Sequence, residues 1–75
     1  MKLLLSLKEM KTKAKESRVT SGLSQYSAAE KLGVSQGAIT GAENTTGGKF
    51  LRLQIRMIEE FGEFKVEGPY YRISS

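Results

Sequence analysis

The sequence predicts a mainly α-helical domain, a bundle of about four helices closed by a short C-terminal β-hairpin. Three observations predict it. Ser6, Ser24 and Ser35 each stand where a helix N-cap belongs, directly before a stretch that tolerates helix. Gly22, Gly33 and Gly62 stand where such helices would stop. The tail then changes character, with β-prone runs at Phe64–Val66 and Tyr70–Ile73 on either side of Glu67-Gly68-Pro69.

The first helix should begin at Leu7. Ser6 and Glu9 have the spacing of a capping box, in which the serine oxygen takes the third helical N–H and the glutamate reaches back. Leu7, Met10 and Ala14 recur as a core stripe. Lys8, Lys11, Lys15 and Arg18 form a basic stripe beside it, with Glu9, Thr12 and Glu16 on the far side. Ser24 caps a second helix, Gln25–Leu32. Gly33 suits a left-handed turn, and Ser35 caps a third helix from Gln36 to about Asn44.

Residues 49–61 read two ways. Leu51, Leu53, Ile55 and Met57 alternate with Arg52, Gln54 and Arg56 as in a strand, yet the residue types are helix formers and Gly62 is a natural stop. Helix is the preferred reading. The alternative is an α+β arrangement, with residues 49–58 as a strand of a small antiparallel sheet and Lys2–Leu5 adding another. Residues 1–75 form one domain, with the hairpin at about 63–74.

Composition narrows the chemistry. At 75 residues with no Cys, the chain has no disulfide to stabilise a small core, which favours dimerisation. It has no His, Cys or Asp and no phosphate-binding glycine loop, so no catalytic constellation, cofactor, metal or small-molecule site is expected; the protein is read as not an enzyme. The longest apolar run, Leu3-Leu4-Leu5, is too short for a membrane span or a secretory signal, so a cytoplasmic protein is expected. The net charge of +4 points to a polyanionic partner, nucleic acid first. Six cations against two glutamates lie in residues 1–22, whereas residues 23–48 hold only Lys31 against Glu30 and Glu43.

Residues 25–44 meet the requirements of a rigid two-helix wedge. Ala29 is small enough for a close crossing, Gly33 allows the turn, and Ala28, Leu32, Val34, Ile39 and Ala42 share an apolar face. The run L-S-Q-Y-S-A-A-E-K-L-G-V-S-Q-G-A-I-T-G-A-E-N resembles the helix-turn-helix of the Cro and phage-repressor (XRE-type) family. The likeness covers Arg18 to Asn44 without a gap, and extends to Phe61-Gly62 if residues 49–61 are helical.

The resemblance implies a transcriptional regulator that binds double-stranded DNA, a homodimeric repressor acting by operator occlusion. It implies a third helix in the major groove, where Gln36 reads adenine and Gly37, Thr40 and Gly41 share the exposed face. Gln25 becomes a phosphate contact that also braces the reading residue. Ser24, Ser35, Asn44 and the stripe Lys8, Lys11, Lys15 and Arg18 become further candidates for the DNA backbone. The family often carries Arg, Lys or Gln where Gly41 stands, and a longer polar residue where Gly37 stands. Bare glycines there fit either a close approach to the groove or a scaffold retained for protein interaction, as in an antitoxin or anti-repressor. Each candidate also has a plainer role. Ser24 and Ser35 are first of all caps, and the basic stripe is first of all a solvated face. Lys49, Arg52 and Arg56 are lesser backbone candidates, and Tyr70, Tyr71 and Ile73 read as core or dimer contacts.

Overall fold

The computed structural model describes residues 2–67 and 72–74. In chain order the elements are β1 (Lys2–Leu4), α1 (Leu7–Thr20), α2 (Gln25–Leu32), α3 (Gln36–Asn44), a 3-10 turn (Gly48–Phe50), α4 (Leu51–Gly62), β2 (Lys65–Glu67) and β3 (Arg72–Ser74). The molecule is thus mainly helical. Among the described residues no helix is long and apolar enough to cross a membrane.

Local chemistry sets the helix starts. The Ser6 hydroxyl accepts from the Glu9 N–H at 3.2 Å, and the Glu9 carboxylate accepts from the Ser6 N–H at 3.1 Å, closing the capping box. The Ser6 N–H, and after it the Ser6 hydroxyl beside the carboxylate, hold the Glu9 carboxyl below its ordinary range. The Ser24 hydroxyl caps α2 through the Ser27 N–H, and the Ser35 hydroxyl caps α3 through the Ala38 N–H. Gly33 ends α2 in the left-handed region at φ 68°, and its successor Val34 returns an N–H to the Ala29 carbonyl.

Residues 51–62 are helical, which overturns the strand alternative for 49–58. The reason lies in what the core asks of this segment. Leu53, Gln54, Met57 and Ile58 are buried together on one helical face, with Phe61 packed at its end. A strand would have grouped Leu51, Leu53, Ile55 and Met57 and left Ile58 on the opposite face. Buried Gln54 earns its place by donating to the Ala42 and Thr45 carbonyls at 2.9 and 2.7 Å, which caps the C-terminus of α3.

The end of α4 differs from the expectation. Gly62 lies inside the last turn, and Glu63 takes the left-handed position at φ 57°. A Cβ on Gly62 would lie 2.5 Å from Ser17 Oγ, so this glycine serves the close approach of α1 and α4.

The core joins Met10 and Ala14 of α1, Ala28, Ala29 and Leu32 of α2, Ile39 and Ala42 of α3, and Leu53, Met57 and Ile58 of α4. Helix α1 packs most extensively on α4. Leu7 departs from the expected stripe: it is exposed, with one face of its side chain against the Gly47 backbone. The strands form an antiparallel sheet of order β1-β3-β2, pairing Leu3 with Ile73 and Val66 with Ile73. The expected connection through 68–71, including Tyr70 and Tyr71, lies outside the described residues.

Candidate nucleic-acid interface

Helices α2 and α3 meet across the three-residue turn 33–35, with Ala28, Ala29, Leu32, Ile39 and Ala42 buried between them and the rest of the bundle. This leaves one side of α3 free. Viewed down its axis at 100° per residue, Gln36, Gly37, Thr40 and Asn44 fall on one exposed face, opposite Ile39 and Ala42. Gln36 makes no side-chain hydrogen bond among the described residues. A Cβ on Gly37 would meet nothing nearer than Ser35 Oγ at 3.9 Å, so that position is open.

One flank of the face is anchored by a polar relay. Buried Arg18 gives two guanidinium N–H groups to buried Glu43, Nη2 reaching Oε1 at 3.1 Å, and a third to the Leu23 carbonyl at 2.7 Å. Gln25 donates from Nε2 to the same Glu43 oxygen at 3.1 Å. Its Oε1 lies 3.1 Å from the Thr40 hydroxyl, which also reaches the Gln36 carbonyl at 3.2 Å. The chain Arg18–Glu43–Gln25–Thr40 thus runs from the interior to the exposed face. The relay fixes the Gln25 amide: Nε2 must face the carboxylate, so Oε1 faces Thr40.

The other flank is apolar. The Phe50 ring lies against Gly41, where a Cβ would come within 2.6 and 2.7 Å of Cε2 and Cε1. Lys49 Nζ stands 5.3 Å from the centroid of that ring.

These contacts correct two expectations. Arg18 is not a surface cation of the basic stripe. Its side chain turns into the interior because Glu43, on the core side of α3, needs a partner there. Gly41 is not a bare position of the exposed face, because Phe50 covers it. The other candidates keep their exposure in different degrees. Lys8 and Lys15 are exposed and Lys11 half-buried. They continue along the flank of α1 on which Arg18 turns toward α3, whereas Lys13, on the opposite flank, pairs with Glu16 at 3.1 Å and lies over Phe64. Ser24 and Ser35 are exposed caps. Asn44 is exposed, and its Nδ2 donates to the Thr40 carbonyl at 2.8 Å. Arg56, though exposed, caps the C-terminus of α2 through the Leu32 carbonyl at 3.0 Å.

Sequence reasoning missed Glu43 and Phe50. Glu43 carried a signal: one position beyond Ala42 and four beyond Ile39, it falls at the edge of the core face, where a carboxylate requires a cation. Phe50 carried none, because its packing on Gly41 crosses a loop of irregular backbone. No family model matches the chain, and no curated protein or solved structure matches it. Among the described residues no group of His, Cys, Asp or Glu is arranged to hold a metal ion.

Proposed function

We propose that the protein is a helix-turn-helix regulator that binds double-stranded DNA sequence-specifically, with α3 in the major groove. The observation that carries the reading is the outer face of α3. It is free of tertiary packing, yet its Thr40 is held through Gln25 by the buried Arg18–Glu43 pair. A solvent-exposed threonine has no folding requirement for such support, whereas a residue that must meet a base edge at a defined angle benefits from it. Gln36, unencumbered at the first turn of α3, presents a donor and an acceptor to adenine.

Lys8, Lys11 and Lys15 supply phosphate contacts, with Ser24, Ser35 and Asn44 as neutral donors at the helix ends. Strands β2 and β3, as a C-terminal hairpin, complete the domain. Two copies related by a two-fold axis would set two α3 helices about 34 Å apart in successive major grooves of a near-palindromic operator, and so repress by occlusion. The rival reading, a scaffold kept for protein interaction, rested on the bare Gly37 and Gly41. With Phe50 seated on Gly41, only Gly37 still favours it.

Selection from a random duplex pool, followed by titration of the selected duplex and a random one at low and moderate salt, tests the proposal. The expected result is a recurrent two-fold-symmetric site bound more tightly than random DNA, with affinity falling steeply with salt. Gln36→Ala should cost about 1–3 kcal/mol and relax selectivity at one base pair of each half-site. Indifference to every duplex at low salt would sink the reading.

A further inference from the structure

We propose that Lys49, carried on the Phe50 ring, is a phosphate-binding cation of the α3 surface, and that Gly41 is bare in order to seat that ring. The inference rests on the DNA-binding reading and adds a contact to it. Helix α3 has no cation of its own. Its one charged residue, Glu43, is buried and already paired. A helix entering a groove bounded by phosphates on both sides therefore needs positive charge delivered from beside it. On one flank, Lys8, Lys11 and Lys15 share the side of α1 from which Arg18 turns toward α3. On the opposite flank, Gly41 borders Gly37 and Asn44 around the helix axis, and there the Phe50 ring occupies the space a side chain on α3 would fill.

The ring does two things at that border. It replaces a flexible side chain by a rigid apolar one packed on backbone, and it offers its face to Lys49, whose ammonium lies 5.3 Å from the centroid. Lys49 itself is exposed, so the ammonium keeps its free N–H donors for an anion. A compact ammonium on a short loop suits a phosphate oxygen, which carries no sequence information, better than the paired acceptors of a base edge. The 3-10 turn Gly48–Phe50, leading directly into α4, fixes where the pair stands.

The test measures affinity for a selected duplex and a random one across a salt series, using the full chain. Lys49→Gln is expected to weaken both duplexes by the same factor and to flatten the plot of log K against log salt by about 0.9. Lys65→Gln removes an exposed charge from β2 and controls for the general field; it should leave the slope nearly unchanged. Phe50→Leu keeps an apolar side chain over Gly41 but removes the ring face. It should weaken wild-type binding severalfold and have no further effect in the Lys49→Gln background. Circular dichroism checks that each variant is folded. A wild-type slope in Lys49→Gln overturns the inference while leaving the DNA-binding reading intact, and so does an effect of Phe50→Leu that is undiminished in Lys49→Gln. If the wild-type protein binds neither duplex at low salt, both fall together.

Discussion

Arg18 and Glu43 join α1 to α3 by a buried two-point ion pair across 25 residues of sequence, with Nη2 3.1 Å from Oε1. Neither group has water to fall back on, so their contribution is best judged by what each leaves behind when the other is removed.

Removal of either partner alone should be severe. Arg18→Ala or Glu43→Ala strands a charge in the interior and should cost about 3–5 kcal/mol, read as a lowered urea midpoint. Replacing both with apolar residues of similar size, Arg18→Met with Glu43→Leu, should recover most of that loss. The double variant would still lose the brace on Gln25, so its stability and its DNA affinity should separate. A double variant as unstable as the singles would show that the pair holds the helices by geometry that apolar packing cannot replace.

Gln25 links stability to recognition in the proposed function. Gln25→Ala leaves the ion pair in place, and the change in folding free energy should be within about 1 kcal/mol. The Thr40 hydroxyl is then left with the Gln36 carbonyl alone and loses its tie to the buried pair, so affinity for the selected duplex should fall by roughly 1 kcal/mol while affinity for random DNA stays constant. An equal loss on both duplexes would move Gln25 from positioning to phosphate contact.

The two glycines of α3 should respond differently to the same change. Gly37→Ala enters open space and raises helix propensity, so it should stabilise by about 0.5–1 kcal/mol. Gly41→Ala places a methyl where the Phe50 ring lies. The ring must move, and the gain in propensity should be cancelled or reversed; the displaced ring would be visible as a loss of ring-current shifts on neighbouring methyl protons in the NMR spectrum. Equal stabilisation by both would show that the ring is not seated on Gly41 in solution.

At the end of α4 the glycine and its successor have exchanged expected roles. Glu63→Gly should stabilise by about 1 kcal/mol, because Glu63 holds a left-handed conformation that costs a residue with a Cβ. Gly62→Ala should destabilise by about 1–3 kcal/mol, because its Cβ would meet Ser17 Oγ at 2.5 Å and Phe64 at 3.0 Å. Thermal denaturation of the two variants beside wild type would reveal opposite shifts in Tm.

Acid should loosen the start of α1. The folded Glu9 carboxyl titrates below its unfolded value because it accepts the Ser6 N–H. Its contribution is therefore present above the ordinary carboxylate range and is lost as pH falls through the lowered folded value. Glu9→Gln retains an acceptor but not the charge, so the variant should lack that part of the acid-induced loss. Urea melts at neutral and acid pH would measure it, and an unchanged pH dependence in Glu9→Gln would assign that loss to other carboxylates.

Much of this molecule was legible residue by residue. The serine caps, the Gly33 turn and the apolar spacing of α2 and α3 are local, set by hydrogen bonds and periodicities within a few residues, so the sequence alone determined where those helices begin and how the two are joined. The resemblance of residues 18–44 to a helix-turn-helix singled out Gln36, Gly37, Thr40 and Gly41, and helix geometry sets the first three on the face opposite Ile39 and Ala42. What local rules could not decide was the partner of each side chain at long range. Arg18 looked like one more cation of a basic stripe until α3 brought Glu43 to it. Residues 49–61 favoured helix but left a strand open until the core required Leu53, Gln54, Met57 and Ile58 on one side. Gly41 and Gly62 looked like an open reading position and a helix stop, and each proved to be room made for a neighbouring side chain. Burial is decided by all the elements together, and a charge or an absent side chain acquires its meaning only from what packs against it.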